Sequence, residues 1–173
     1  MENDINHIKL YSSPLVRAIQ TATQVSISLE KNEVTIHNGL VDWYDEYDSP
    51  LRIPELEVKT LVRKKFMKKY LKGEKVTLID NDEHIADMEA SYPEDDNEWN
   101  ERIISNTDDL MNMLKSTSEL DAVVVASHWK IVEYFSDYHS NKHIGMGYWA
   151  LSCLKYDPST DETNLVLNRH YAY

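Results

Sequence analysis

Two basic side chains stand where this chain could bind an anion. Arg17 comes shortly after the apolar segment HIKLYSS, residues 7–13, and His128 directly follows DAVVVAS, residues 121–127. If the two segments are parallel neighbouring strands, both side chains project from one sheet edge, where open α/β sheets hold their ligands. A guanidinium, an imidazole and the N–H groups of a helix N-terminus together favour a phosphate-sized anion. A surface arginine and a hydrogen-bonded core histidine are the ordinary alternative.

The elements that must position these residues begin with a strand over residues 7–13. A helix is expected to follow at once, because Ser13 is a good N-cap and Pro14 suits the first helical position. Apolar residues then recur at helical spacing: Leu15, Ala18, Ile19, Ala22 and Leu29. Residues 33–37, EVTIH, indicate a second strand that stops at Asn38-Gly39.

The rest of the chain continues the alternation of helix and strand. The apolar periodicity predicts the following elements in order: a helix over residues 54–72 with a basic face at 59–75, an acidic loop over 80–98, a helix from near Asn97, a strand over 121–127, a helix over 129–139, and two final strands over 148–156 and 164–167. The run DAVVVAS is apolar without alternation, which is typical of a strand covered on both faces. The pattern predicts an α/β sandwich with a mainly parallel sheet.

Composition limits the classes of protein further. The chain has 173 residues, which favours one domain spanning 1–173, and its net charge of −12 disfavours nucleic acid as a partner. No apolar run is long enough to span a bilayer, and MENDINHIKL does not have the pattern of a secretion signal. The single cysteine, Cys153, excludes an internal disulfide, so a cytoplasmic location is the expectation.

Four segments resemble those of one known family, the histidine phosphatase superfamily with its phosphoglycerate mutase-like fold. They are SSPLVRAIQTA at 12–22, GLVDWYDE at 39–46, NEWNERI at 97–103 and AVVVASH at 122–128, in the family's order. The first is the most specific, since it combines Ser-Ser, an arginine and a Gln-Thr-Ala helix. The resemblance implies a three-layer α/β sandwich and phosphoryl transfer through a phosphohistidine.

The resemblance also implies roles for individual residues. Arg17 corresponds to a phosphate clamp, His128 to the family's second histidine, and Asp42 to the position of its acid, which is commonly a glutamate. Asp45 and Glu46 remain alternatives for that acid. No cofactor and no metal are implied, and the expected ligand is a phosphorylated small molecule or a phosphoprotein.

One part of the family's site is missing from the sequence. The nucleophile belongs to an Arg-His-Gly motif upstream of the Ser-Ser segment, but no such motif occurs here and only eleven residues precede Ser12. Arg169-His170 lacks the glycine and better fits the family's ordinary C-terminal ending. Because removing one member of a catalytic set costs orders of magnitude in rate, we expect a phosphatase-inactive domain with a residual phosphate site.

Two alternatives stay open at this point. The chain is the C-terminal part of an active phosphomonoester phosphatase whose start lies upstream, or it is an interaction module that binds without turnover. Since the family's first strand is internal to the sheet, its loss is expected to expose backbone pairing groups. Either the sheet closes differently, a partner supplies a strand, or the chain is partial.

Overall fold

The structure is a computed structural model. It describes residues 6–42, 76–79, 95–117, 120–140 and 151–169. The helices and strands in these ranges are β1 (Ile8–Ser12), α1 (Val16–Ser28), β2 (Glu33–Ile36), a single 3-10 turn (Asn38–Leu40), β3 (Thr77–Ile79), α2 (Asp96–Ser116), β4 (Ala122–Ala126), α3 (Trp129–Ser140), β5 (Leu151–Asp157) and β6 (Glu162–Arg169). The predicted α/β class is confirmed.

A four-stranded parallel sheet forms the centre of the described chain, with strand order β3-β2-β1-β4. The register of β1 on β4 runs from Ile8 opposite Ala122 to Ser12 opposite Ala126. The prediction that residues 7–13 and 121–127 are parallel neighbours is therefore confirmed. Both edges of β1 are paired, so the expected exposure of pairing groups is not found at this strand.

Helices pack on both faces of this sheet. Within β4, Val124 and Ala126 pack with α1, while Val123 and Val125 pack with α2 and α3. The α1 side contains the buried residues Leu10, Ala22 and Val34, and the opposite side contains Tyr11, Leu40, Ile103, Leu110 and Ile131. The unbroken apolar run of β4 predicts contacts on both faces, and all five of its residues are half-buried. The arrangement is compatible with a three-layer α/β fold.

The start of α1 differs from its predicted position. The helix begins at Val16 with Leu15 as its N-cap, and no side chain caps it, so Ser13 and Pro14 precede the helix. The Ser13 hydroxyl instead lies 2.8 Å from Nε2 of His128. The prediction of Ser13 as N-cap is wrong because a contact distant in sequence uses the same hydroxyl.

The end of α1 is a Schellman motif, in which two backbone N–H groups satisfy the last carbonyls of the helix. Glu30 N donates to Ile27 O at 3.1 Å, and Lys31 N donates to Ser26 O at 2.8 Å. Glu30 has a φ of 53°, a left-handed conformation that favours glycine. Leu29, predicted on the apolar face, is the C-cap and is 37% exposed, because the chain has already left the helix there.

Helix α2 begins at Asp96, close to the predicted start near Asn97. A capping box fixes this end: the Asp95 side chain accepts from the backbone of Asn97 and Glu98, and the Glu98 side chain accepts from Asp95 N. Residues 95–98 therefore belong to the cap and first turn rather than to the predicted loop. The face of this helix that carries Ile103, Thr107 and Leu110 is buried.

The last two strands form the antiparallel hairpin β5-β6, as the sequence predicts. Its turn is tied to the end of α2, since Lys115 Nζ lies 3.1 Å from Asp161 Oδ1 and 4.8 Å from the centroid of the Tyr156 ring. Ser136 of α3 donates to Ser152 Oγ of β5 at 2.7 Å. These contacts place the hairpin beside the two helices.

Several sequence predictions lie outside the described residues: the helix over 54–72, the basic face at 59–75, the loop over 80–94 and residues 148–150. Strand β3 was not expected, because three residues carry too little periodicity to be recognised. Within the described ranges, no helix combines the length and apolar character needed to cross a membrane.

The left-handed Glu30 gives a stability prediction. Glu30→Gly should raise the free energy of unfolding by about 0.5–1 kcal/mol, because glycine adopts this backbone conformation without a Cβ penalty. Chemical denaturation monitored by circular dichroism measures the change. Glu33→Gly, in the extended strand β2, is the control and should lower stability. Equal destabilisation by both substitutions would contradict the prediction.

Candidate functional site

Three chain segments meet at the carboxyl edge of the central sheet. Strand β1 leads to Ser13 and then to Arg17 in the first turn of α1, and β4 leads directly to His128. The 3-10 turn after β2 leads to Asp42. Because β1 and β4 are adjacent and parallel, Ser13 and His128 leave the sheet side by side, and Ser13 N donates to Ala126 O at 2.9 Å.

The side chains of Arg17, Asp42 and His128 form one compact cluster. Arg17 Nη2 lies 2.7 Å from Asp42 Oδ2 and 3.1 Å from His128 Nδ1. His128 Nδ1 lies 3.2 Å from the same Asp42 oxygen. Exposure falls across the cluster, since the side chain is 53% exposed in Arg17, 20% in Asp42 and 4% in His128. The guanidinium therefore faces solvent, while the imidazole lies at the buried end of the cluster.

Both ring nitrogens of His128 have polar neighbours. Nε2 lies 2.8 Å from the Ser13 hydroxyl oxygen, which also accepts from Leu15 N at 3.3 Å. Nδ1 lies 3.1 Å from Arg17 Nη2 and 3.2 Å from Asp42 Oδ2. These contacts fix the orientation of the ring within the cluster.

The surroundings keep His128 neutral. Burial, together with the positive charges of Arg17 and Arg102, lowers the pKa of His128 from 6.5 to about 3. At neutral pH the histidine therefore carries no charge.

Helix α2 fixes the segment that carries Asp42. Arg102 Nη1 donates to Gly39 O at 2.6 Å and to Val41 O at 3.2 Å. Gly39 lies so close to the Asn106 side chain that a Cβ at this position would collide with it. From the opposite side, Ser127 Oγ donates at 2.9 Å to the carbonyl oxygen of Leu40, the residue between Gly39 and Val41. The backbone just before Asp42 is thus held by hydrogen bonds from both α2 and the end of β4.

The structure brings together the three residues singled out from the sequence, Arg17, Asp42 and His128. The alternative acids Asp45 and Glu46 lie outside the described residues, as does His170. Lys130, in the first turn of α3, places its ammonium 5.6 Å from the centroid of the Trp129 ring.

Sequence reasoning missed two contributors to the cluster. Ser13 was assigned to helix capping, although its place at the end of a strand next to a candidate site was a usable signal. Arg102 was part of the NEWNERI segment but received no role, because nothing in local spacing shows that its side chain reaches the backbone at Gly39 and Val41. Its contribution depends on the packing of α2 against the 3-10 turn.

The arrangement suits the binding of an anion. Arg17 supplies a planar guanidinium suited to phosphate oxygens, and the neutral, buried ring of His128 lies beside it. In the described part of the chain, no group of three His, Cys, Asp or Glu side chains could hold a metal ion.

Comparisons with known proteins do not extend this assignment. No protein-family model matches the chain, and no curated protein matches its sequence.

The low pKa of His128 predicts how stability depends on pH. Below pH 6.5 the unfolded chain binds a proton at this histidine, whereas the folded chain remains unprotonated until about pH 3. The free energy of unfolding should therefore decrease as the pH is lowered through this window. His128 contributes up to about 1.4 kcal/mol of this decrease per pH unit.

Urea denaturation of the wild type and His128→Gln between pH 7 and pH 4.5 measures this contribution. The variant should show a shallower decline because glutamine does not titrate. His7→Gln, at an exposed histidine, is the matched control and should follow the wild-type slope. Parallel curves for the wild type and His128→Gln would rule out the assignment of a neutral buried imidazole.

Proposed function

We propose that this chain is a histidine-phosphatase-like domain of the phosphoglycerate mutase-like fold that binds phosphate groups at Arg17 and His128 without turning them over. The expected ligand is a phosphorylated small molecule or a phosphoprotein. The proposal combines the motif resemblance of residues 12–22 and 122–128 with the cluster at the sheet edge.

One observation carries the binding part of the proposal. The guanidinium of Arg17 and the Nδ1 of His128 converge on a single carboxylate oxygen, at 2.7 and 3.2 Å. With the ring proton of the neutral His128 on Nδ1, both groups donate toward one anionic oxygen, which is the arrangement that a phosphoryl oxygen requires. The N-terminal end of α1 adds its dipole, because Arg17 lies in the first turn of that helix.

The absence of turnover follows from the chemistry of the described groups. The sequence contains no Arg-His-Gly motif to supply the family's nucleophile. His128 does not replace it, because its ring is buried, with Nε2 against Ser13 and Nδ1 against Arg17 and Asp42. Ser13 is itself 0% exposed and is therefore closed to a phosphate ester. The described part of the cluster thus provides groups for binding but no accessible histidine or serine nucleophile.

Titration with inorganic phosphate and with vanadate, followed by calorimetry and by ³¹P or ⁵¹V NMR, tests the binding. Arg17→Ala should weaken phosphate binding by roughly tenfold or more, since it removes a charge-assisted hydrogen bond. Lys155→Ala is the matched control, because it removes one positive charge from exposed β5 and should leave the affinity unchanged.

Two results would overturn the proposal. Equal weakening by Arg17→Ala and Lys155→Ala would show a general effect of net charge rather than a site. Hydrolysis of a generic phosphomonoester by the purified chain at enzyme-like rates, abolished by Arg17→Ala, would show a working phosphatase. Binding dependent on Arg17 without turnover is the expected result.

A further inference from the structure

The guanidinium on which the proposed phosphate site depends already holds an anion from the same chain. Asp42 Oδ2 accepts from Arg17 Nη2 at 2.7 Å and lies 3.2 Å from His128 Nδ1. A phosphoryl oxygen bound beside Arg17 and His128 would have to take the place of this carboxylate oxygen. The two anions also repel each other at such a distance.

We propose that Asp42 is an autoinhibitory residue whose carboxylate closes the Arg17–His128 site and must be displaced by an incoming phosphate group. The inference rests on the proposed function and assigns Asp42 a role other than that of the acid. Resemblance to the family places an acid here, but the observed contact is with the phosphate-binding groups themselves.

Hydrogen bonds from two other elements of the fold hold the backbone that leads to Asp42. The carbonyls of Gly39 and Val41 accept from Arg102, and that of Leu40 accepts from Ser127, so the backbone before Asp42 is held in place. The side chain of Asp42 is 20% exposed, which places the carboxylate inside the cluster.

The closure is reversible because Arg17 remains accessible. Its side chain is 53% exposed, and an ion pair with that much contact with water is weakly stabilising. A phosphate approaching from solvent meets the guanidinium first and then competes with the carboxylate for it. The bidentate form of the guanidinium and the greater charge of phosphate favour exchange at sufficient phosphate concentration.

Asp42→Asn is the decisive substitution, because it keeps the size of the side chain and removes its charge. Inorganic phosphate should bind this variant about three- to fivefold more tightly than the wild type, the upper part of the range expected when a partly exposed ion pair no longer competes. Asp109→Asn is the matched control. It also removes one negative charge, but from an exposed position on α2, and it should leave phosphate affinity within twofold of the wild type.

A second single variant guards against a folding defect, and a double variant tests whether the gain depends on Arg17. Asp42→Ala should also tighten phosphate binding, and it replaces Asp42→Asn if the asparagine variant does not fold, as judged by circular dichroism. Adding Arg17→Ala to Asp42→Asn should abolish the gain, since the released guanidinium is its source. A gain that persists without Arg17 would overturn the inference.

The outcomes separate this inference from the proposed function. If the wild type binds phosphate through Arg17 but Asp42→Asn and Asp42→Ala bind no more tightly, autoinhibition is wrong and the proposed function stands. If none of the three proteins binds phosphate, the proposed function fails and the inference fails with it. Arg17-dependent binding that is stronger in the Asp42 variants, or detectable in them alone, supports the inference.

Discussion

The parallel pairing of β1 with β4 is the constraint on which the site depends. Five residues of each strand are in register, and Ser13 N extends the ladder by one more hydrogen bond, to Ala126 O. This pairing alone brings residues 115 positions apart into contact, since Ser13 and His128 follow the two strands directly. Arg17 then reaches the same point because its helix starts within a turn of the strand. A slip of one residue in this register would turn the side chains of one strand to the other face.

The sequence predicted the parts of the fold that depend on local pattern. Apolar periodicity predicted α2, α3 and the last two strands. The rule that ligands bind beyond the carboxyl ends of strands predicted that Arg17 and His128 lie together. Local pattern failed where a distant contact decided the outcome. Ser13 has every local property of an N-cap, yet its hydroxyl contacts a histidine from another strand. The carboxylate of Asp42 was expected near this edge, but its contact with Arg17 depends on how α2 holds the preceding backbone.

The proposed phosphate ligand has to be reconciled with an acidic protein. The net charge of −12 repels phosphate at long range, so the proposed recognition depends on charges that are close and oriented. A neutral His128 suits this purpose, because the cluster then holds no third positive charge beside the guanidinium groups of Arg17 and Arg102. The same neutrality leaves Arg17 as the charged donor at the solvent side of the cluster.

Helix α2 connects this site to a distant part of the surface. Arg102 holds the backbone before Asp42, and Lys115, thirteen residues further along, pairs with Asp161 in the hairpin turn. At 1.5 Å per residue the two contacts are about 20 Å apart along one continuous helix. The β5-β6 turn and the backbone that carries Asp42 are therefore anchored to the same rigid element of the fold.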